Sequence, residues 1–96
     1  MPYALVAIYR VKSGFEETVE SALKEMTELT RSEPGCISYT AHRSPEEDNV
    51  FFLYECYRDE AAFHTHASSG HFSRYIKDEV WPRLADRTRI LGTPIV

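Results

Sequence analysis

FFLYECYRDEAAFHTHASSGHFSRY, residues 51–75, spans most of one predicted strand, a whole short helix and the start of a second helix. Its first part is rich in aromatic residues and typical of a strand, and that strand carries one acid, Glu55. Asp59 is a suitable N-cap for a helix that follows. Three imidazoles come within eight positions of one another: His64, His66 and His71. A small core does not need a carboxylate in an aromatic strand beside histidines, so the stretch indicates the wall of a site where a proton moves.

The residues before this stretch predict a strand, a helix and a second strand. Residues 3–11, YALVAIYRV, are β-branched and aromatic and predict a central strand. Ser13 and Glu16 form a capping-box pattern for a helix over about 15–32, which ends before Glu33-Pro34-Gly35. Its apolar stripe is predicted to pack on a sheet and contains Phe15, Val19, Ala22, Met26 and Leu29.

The remaining segments predict a hairpin, two short helices and a last strand. Residues 36–42 and 50–57 are its two strands, joined by the polar connector 44–49. One helix runs from Asp59 to about His66 and is broken by 67–70. Ser69 can cap a second helix over about 70–81. Its predicted sheet-facing row is Phe72, Ile76, Val80 and Leu84, and the last strand lies around 88–92.

This order, β-α-β-β-α(α)-β, predicts one domain over residues 1–96 with an α+β, ferredoxin-like fold. In that plan a four-stranded antiparallel sheet carries its helices on one face, and the other face is open and must be covered. Twelve aromatic residues (six Tyr, five Phe and one Trp) are many for 96 residues. We therefore expect a second copy of the chain to cover the open face in a homodimer.

Composition excludes several partners. The net charge is −4, the pI is near 5.5 and no basic run exists, which argues against nucleic acid or anionic membrane as a partner. No apolar run approaches the length of a membrane span. The N-terminus lacks the pattern of a signal peptide, so we expect a cytoplasmic protein in which Cys36 and Cys56 are reduced.

The whole chain resembles the antibiotic biosynthesis monooxygenase domain family. The resemblance rests on an ordered set of short motifs: Glu33-Pro34-Gly35-Cys36 with Tyr39, Leu53-Tyr54-Glu55-x-Tyr57, Asp59-Glu60-x-Ala62-Phe63-x-x-His66, His71-Phe72 and Arg89-Ile90-Leu91. It implies subunits that pair through their sheets into a dimeric α/β barrel. The chain is most similar to quinol monooxygenases and to enzymes that process the phosphorylated autoinducer-2 signal. A haem-degrading branch is disfavoured, because its Asn, Trp and axial His positions hold Ala7, His66 and Ile76 here.

Oxygenation without a cofactor requires a base that removes a proton from a phenol or enol, and His66 is the predicted base. Glu55 is predicted to orient His66 or to accept a proton itself. Simpler structural roles stay open for both residues. His66 could only cap the end of its helix, and Glu55 could only form a salt bridge to Arg10 or Arg89.

The predicted substrate-binding residues surround this pair: Tyr39, Tyr57, Phe63, His71 and Phe72. No cofactor or metal is predicted. His64 and His66 lie about 200° apart on a helix and cannot share an ion. His66 and His71 could meet across the helix break, but no third ligand is found at a usual spacing.

The predicted function is a cofactor-independent monooxygenase that acts with dioxygen on a small aromatic or quinol-like substrate. One alternative is an isomerase of a small phosphorylated hydroxyketone of the autoinducer-2 type, which needs the same first proton removal. The other is a non-catalytic small-molecule-binding dimer. A void large enough for an aromatic ring beside His66 and Glu55 would favour an enzyme.

Overall fold

The computed structural model describes residues 1–96, and its elements follow the predicted order. The strands are β1 (Tyr3–Val11), β2 (Cys36–Arg43), β3 (Val50–Tyr57) and β4 (Leu84–Gly92). The helices are α1 (Glu16–Arg31), α2 (Glu60–Ala67) and α3 (Phe72–Val80), and a 3₁₀ turn at Trp81–Arg83 joins α3 to β4. No helix is both long enough and apolar enough to cross a membrane.

The four strands form one antiparallel sheet in the order β2-β3-β1-β4. This confirms the predicted α+β, ferredoxin-like fold. In the register of the sheet, Glu55 on β3 lies between Leu5 on β1 and Tyr39 on β2. Since side chains alternate along a strand, these three share the face that the helices cover.

Helix α1 starts differently from the prediction. Its N-cap position is Phe15, no side chain caps it, and Ser13 plays no part. The predicted capping box does not form, because Glu16 Oε1 accepts a hydrogen bond of 2.9 Å from the backbone N–H of Gly14 and not from that of Ser13. The predicted stripe is also partly wrong, since Phe15 and Leu29 are exposed. The buried face of the helix instead consists of Val19, Ala22, Leu23, Met26 and Thr30.

Helix α2 begins as predicted, because Asp59 Oδ1 accepts a hydrogen bond from the Ala62 N–H at 2.8 Å. Ser69 performs its predicted role at the next helix, where its Oγ accepts from the Phe72 N–H at 3.1 Å. Helix α3 is a π-helix rather than an α-helix, and the N–H of Trp81 donates to the carbonyl of Ile76 five residues earlier. π-Helical turns are rare and are found frequently at functional sites.

The sequence predicted the helix-to-β4 boundary incorrectly. Ile76 and Val80 are buried as expected, and Phe72 packs on the core, but Leu84 is the first residue of β4. Pro82 lies in the 3₁₀ turn that ends the helix, so β4 begins before the predicted start at Thr88. This longer strand extends one wall of the candidate site.

Candidate active site

Glu55 is the only acid on the helix-covered face of β3, and it is almost completely buried, with 4% of its surface exposed. The hydroxyl of Tyr57 donates a hydrogen bond of 2.6 Å to Glu55 Oε1. Burial raises the pKa of Glu55 to about 7, even though the Tyr57 hydrogen bond acts in the opposite direction. A carboxyl with such a pKa can accept and return a proton near neutral pH.

The alternative salt bridges for Glu55 do not form. Arg10 lies on the opposite face of β1 and pairs with Glu47, with 3.2 Å between Arg10 Nη1 and Glu47 Oε1. Arg89 acts on Glu55 only at a distance, where its charge lowers the pKa of the carboxyl. A purely structural ion pair therefore does not explain why Glu55 is buried.

His66, near the end of α2, is the closest imidazole to Glu55. Only 1% of its surface is exposed, and its Nε2 lies 3.6 Å from Glu55 Oε1, just beyond hydrogen-bond length. Burial lowers the pKa of His66, although the hydrogen bond and the charge of Glu33 oppose this effect. Its carbonyl accepts a 2.7 Å hydrogen bond from the Ser69 hydroxyl, which holds the end of the helix.

Glu33 is the member of the site that sequence reasoning missed. Its Oε2 lies 2.9 Å from His66 Nδ1 and is also hydrogen bonded to His71 Nε2. His66 and His71 thus do meet across the helix break, and the expectation that no third ligand-type side chain accompanies them is wrong. Two signals in the sequence pointed to Glu33: its position just before the Pro34-Gly35 turn, and its place in the Glu33-Pro34-Gly35-Cys36 motif of the family resemblance.

These three side chains are also the candidate ligand set for a metal ion, since one donor atom from each lies within 4.8 Å of the others. Ligand atoms about 2.1 Å from one ion are separated by roughly 3 Å or more. The 2.9 Å from Glu33 Oε2 to His66 Nδ1, and the closer approach to His71, are spacings of direct hydrogen bonds. In this arrangement the three side chains are hydrogen bonded to one another and are not spaced around an ion.

Aromatic rings pack around His66. Ring centroids of Tyr57, Phe72 and Tyr39 lie 5.0, 5.3 and 5.9 Å from its own. Burial, followed by the nearby charge of Glu55, raises the pKa of both Tyr39 and Tyr57. Both phenols are therefore neutral at ordinary pH, and the Tyr57 hydroxyl serves as a donor.

A cavity of about 520 Å³ opens between the sheet, α2 and α3. Since a void of roughly 150 Å³ suffices for benzene, an aromatic ring fits easily. Glu55 is the one acid in its wall. The other lining residues are Leu5, Ala7, Tyr9, Phe63, His64, Ala67, Phe72, Lys77, Trp81, Arg87, Thr88 and Arg89.

The predicted site residues divide into two groups. Glu55, Phe63 and Phe72 line the cavity, whereas the other predicted residues are not part of its wall: Tyr39, Tyr57, His66 and His71. His66 is next to the wall, in contact with Glu55 and packed on Phe72. The structure thus places all seven predicted residues in or next to the cavity wall. Glu55 is the one carboxyl among them that a ligand in the cavity can contact.

Other polar groups in the wall were not assigned a role from the sequence. Burial raises the pKa of Tyr9, and the buried Trp81 N–H beside its hydroxyl acts in the opposite direction. Lys77, Arg87 and Arg89 line the cavity and form no ion pair with a carboxylate. The Arg87 guanidinium lies 3.5 Å from the centroid of the Trp81 ring, which holds it at the rim.

A second depression, of about 560 Å³, lies between α1 and β2. It is bordered mainly by polar and charged side chains that pair with one another, including Arg43 with Glu20 and Lys24 with Glu20. No buried acid or base faces it. The cavity next to Glu55 is therefore the candidate active site.

Comparison with known proteins agrees with this fold. The family model described as "Antibiotic biosynthesis monooxygenase" matches residues 2–78. The chain is 30% identical over 74 residues to the Mycobacterium tuberculosis protein named "Putative monooxygenase Rv0793", which covers 77% of this chain and 72% of that protein. An uncharacterized Synechocystis protein is 32% identical over 76 residues, and the match covers 79% of this chain but only 52% of that relative.

Solved structures show the same architecture along nearly the whole chain. The structure of Rv0793 superposes with a TM-score of 0.91 at 26% identity, covering 100% of this chain and 97% of that one. PA3566 from Pseudomonas aeruginosa also has a TM-score of 0.91, at 25% identity, covering 99% and 95%. On the family match and these relatives, the chain belongs to the antibiotic biosynthesis monooxygenase family.

Proposed function

We propose that this protein is a cofactor-independent monooxygenase of a small aromatic or quinol-like substrate, and that Glu55 is the group that removes the substrate proton. The observation that carries the proposal is a buried carboxyl, with a pKa of about 7, in the wall of a cavity of about 520 Å³. His66 does not line the cavity, but it lies next to Glu55 and assists it. This division of roles differs from the sequence-based prediction, in which His66 was the base.

The residues of the wall suit an electron-rich ring. Phe63, Phe72 and Trp81 can pack against its faces and edges. When Glu55 takes the proton of a ring hydroxyl, negative charge develops on that oxygen. The guanidinium of Arg89, which lines the cavity and whose charge acts to lower the pKa of Glu55, can stabilise it.

The quinolate then supplies electrons to dioxygen. One oxygen atom enters the ring in place of a ring hydrogen, the other leaves as water, and the quinol becomes a hydroxyquinone. The quinol itself is the reductant, so no further electron donor is needed. The proton held by Glu55 returns to the departing oxygen and restores the carboxylate.

The test is oxygen uptake with a panel of quinols and phenols, using chelator-treated protein without added flavin and mass analysis of the product. We expect Glu55→Gln to slow the reaction by about 100-fold or more, the usual scale for loss of a general base. Glu60→Gln is the matched control, because it removes an exposed carboxylate of α2 that does not line the cavity.

Two outcomes would contradict the proposed roles. Full activity of Glu55→Gln, together with loss of activity in His66→Gln, would make His66 the base. Activity that appears only after a metal or flavin is added would overturn the cofactor-independent mechanism.

One observation favours a second candidate, an isomerase of a small phosphorylated hydroxyketone. Lys77, Arg87 and Arg89 give the cavity wall three unpaired cations against one acid, which suits a phosphate group. Glu55 would take a proton from the carbon next to the carbonyl and return it to the neighbouring carbon. In deuterated water this reaction incorporates deuterium into the hydroxyketone and consumes no oxygen, which separates it from the monooxygenase.

The third alternative is a protein that binds a small molecule without chemical change. A quinol or hydroxyketone that binds in calorimetry, without oxygen uptake and without deuterium incorporation, would favour it. In all three cases we propose a homodimer joined through the sheet face that the helices leave open. The support for this is the apolar character of that face, which includes Ile8, Phe52, Tyr54 and Ile90.

A further inference from the structure

A single carboxylate oxygen, Oε2 of Glu33, lies between two imidazoles that belong to different elements. It is 2.9 Å from His66 Nδ1 at the end of α2 and hydrogen bonded to His71 Nε2 just before α3. Glu33 itself lies in the turn between α1 and β2, where its N–H donates to the Thr30 carbonyl at 3.0 Å. The cluster therefore joins three segments of the chain.

The hydrogens in this cluster follow from the chemistry of the groups. A carboxylate has no proton to donate, so both imidazole nitrogens in contact with Glu33 must be the donors. A neutral imidazole carries only one N–H. When His66 is neutral, its hydrogen is therefore on Nδ1, and its Nε2 is an acceptor.

We propose that Glu33 is a positioning residue, which fixes the Nδ1–H tautomer of His66 and so turns the Nε2 lone pair towards Glu55. His71 donates to the same oxygen and holds the Glu33 carboxylate in place. This role rests on the proposed function, because it gives Glu55, the group that contacts the substrate, a proton acceptor in His66 Nε2. The hydrogen bond made by one ring nitrogen of a histidine commonly decides which of the two nitrogens carries the hydrogen.

The consequence for proton transfer is direct. A proton that Glu55 has taken up can pass to His66 Nε2, which is 3.6 Å from Glu55 Oε1. The Glu55 O–H bond breaks, an N–H bond forms, and the imidazolium is balanced by Glu33 on its other side. The titratable groups around His66 are Glu33, Glu55, His71, Tyr39 and Tyr57, and both tyrosines are neutral.

The test determines the tautomer of His66 directly by long-range proton–nitrogen NMR. The protein is labelled with nitrogen-15 in histidine and measured at pH 8 without substrate. In the wild type we expect the hydrogen of His66 on Nδ1. In Glu33→Ala we expect it on Nε2, because at this pH the Glu55 carboxylate is then the only acceptor left for the ring. Glu60→Ala is the control, since it removes the carboxylate beside the exposed His64 and should leave His66 unchanged.

A His66 hydrogen on Nε2 in the wild type would overturn the proposal, as would a doubly protonated ring at pH 8. The wild-type spectrum needs no variant, so the proposal stays testable even if Glu33→Ala does not fold. A transition-metal ion that remains bound in stoichiometric amount after chelation, and is lost in Glu33→Ala, would also overturn it. None of these measurements involves turnover, so their failure is separate from a failure of the oxygenase assay.

Discussion

Glu55 and His66 form a pair whose proton affinities are changed in opposite directions by the same cause. Burial disfavours the charged form of each, so it raises the pKa of Glu55 and lowers the pKa of His66. Burial therefore favours the protonated carboxyl of Glu55 and the neutral imidazole of His66. Neighbouring titratable groups whose pKa values are perturbed in this way are typical of acid–base sites.

Substitution of Glu55 by Gln should make the unfolding free energy less dependent on pH. The folded-state pKa of about 7 is higher than the ordinary value of 4.5. The stability that protonated Glu55 provides is therefore complete below pH 4.5 and is lost as the pH rises through 7. Between pH 5 and 8.5 we expect Glu55→Gln to gain up to about 3 kcal/mol relative to the wild type.

Urea denaturation at the two pH values measures this gain. Glu60→Gln is again the matched control and should show no comparable change. A difference between Glu55→Gln and the wild type that is equal at pH 5 and pH 8.5 would mean that burial does not perturb Glu55.

At the scale of elements, the site depends on how closely α2 approaches the start of β2. Gly35 precedes β2, and a Cβ placed on it would lie only 2.4 Å from the Cβ of Ala62 in α2. The carbonyl of Gly35 also accepts a 2.9 Å hydrogen bond from the Arg58 N–H. Glycine at this position therefore allows α2 to pack where His66 can contact Glu33.

Gly35→Ala should destabilise the protein by about 1–3 kcal/mol, the usual range for overpacking, because backbone or helix must move to relieve the contact. Gly70→Ala is the matched control, since a Cβ there has no heavy atom within 4 Å. We expect the control to be neutral or slightly stabilising. Equal thermal denaturation midpoints for the two variants would show that α2 moves aside without cost.

At the scale of the whole molecule, the sheet has one face covered by helices and one face without them. Large apolar side chains remain on the open face, with Phe52 and Tyr54 at 39% and 43% exposure and Ile90 at 68%. Contiguous apolar surface of this kind is typical of an interface between proteins. A second copy of the chain would bury it and bring the two candidate sites into one assembly.

Phe52→Glu should weaken the proposed homodimer, because it introduces a charge at the centre of the open face. We expect its dissociation constant to rise at least about tenfold, which corresponds to roughly 1.4 kcal/mol. Leu29→Glu is the matched control, since Leu29 is similarly exposed but lies on α1. Sedimentation at micromolar concentration measures both, and a wild-type monomer there would contradict the dimer.

The sequence by itself determined the features that depend on near neighbours. The order of elements, the Asp59 cap, the Ser69 cap and the place of Glu55 on the inner face of β3 all follow from periodicity and local hydrogen bonding. Local signals were weaker at the start of α1 and the start of β4. For this reason Ser13 was wrongly predicted as a cap, and the start of β4 was predicted too late.

Only the tertiary structure decided which side chains meet. Glu33 and His66 are far apart along the chain and come together because α1 and α2 both pack on one face of the sheet. The same packing leaves Glu55, rather than His66, in the cavity wall. Periodicity assigns a residue to a face of its own element, but the distance between two elements is set by the volumes that pack between them.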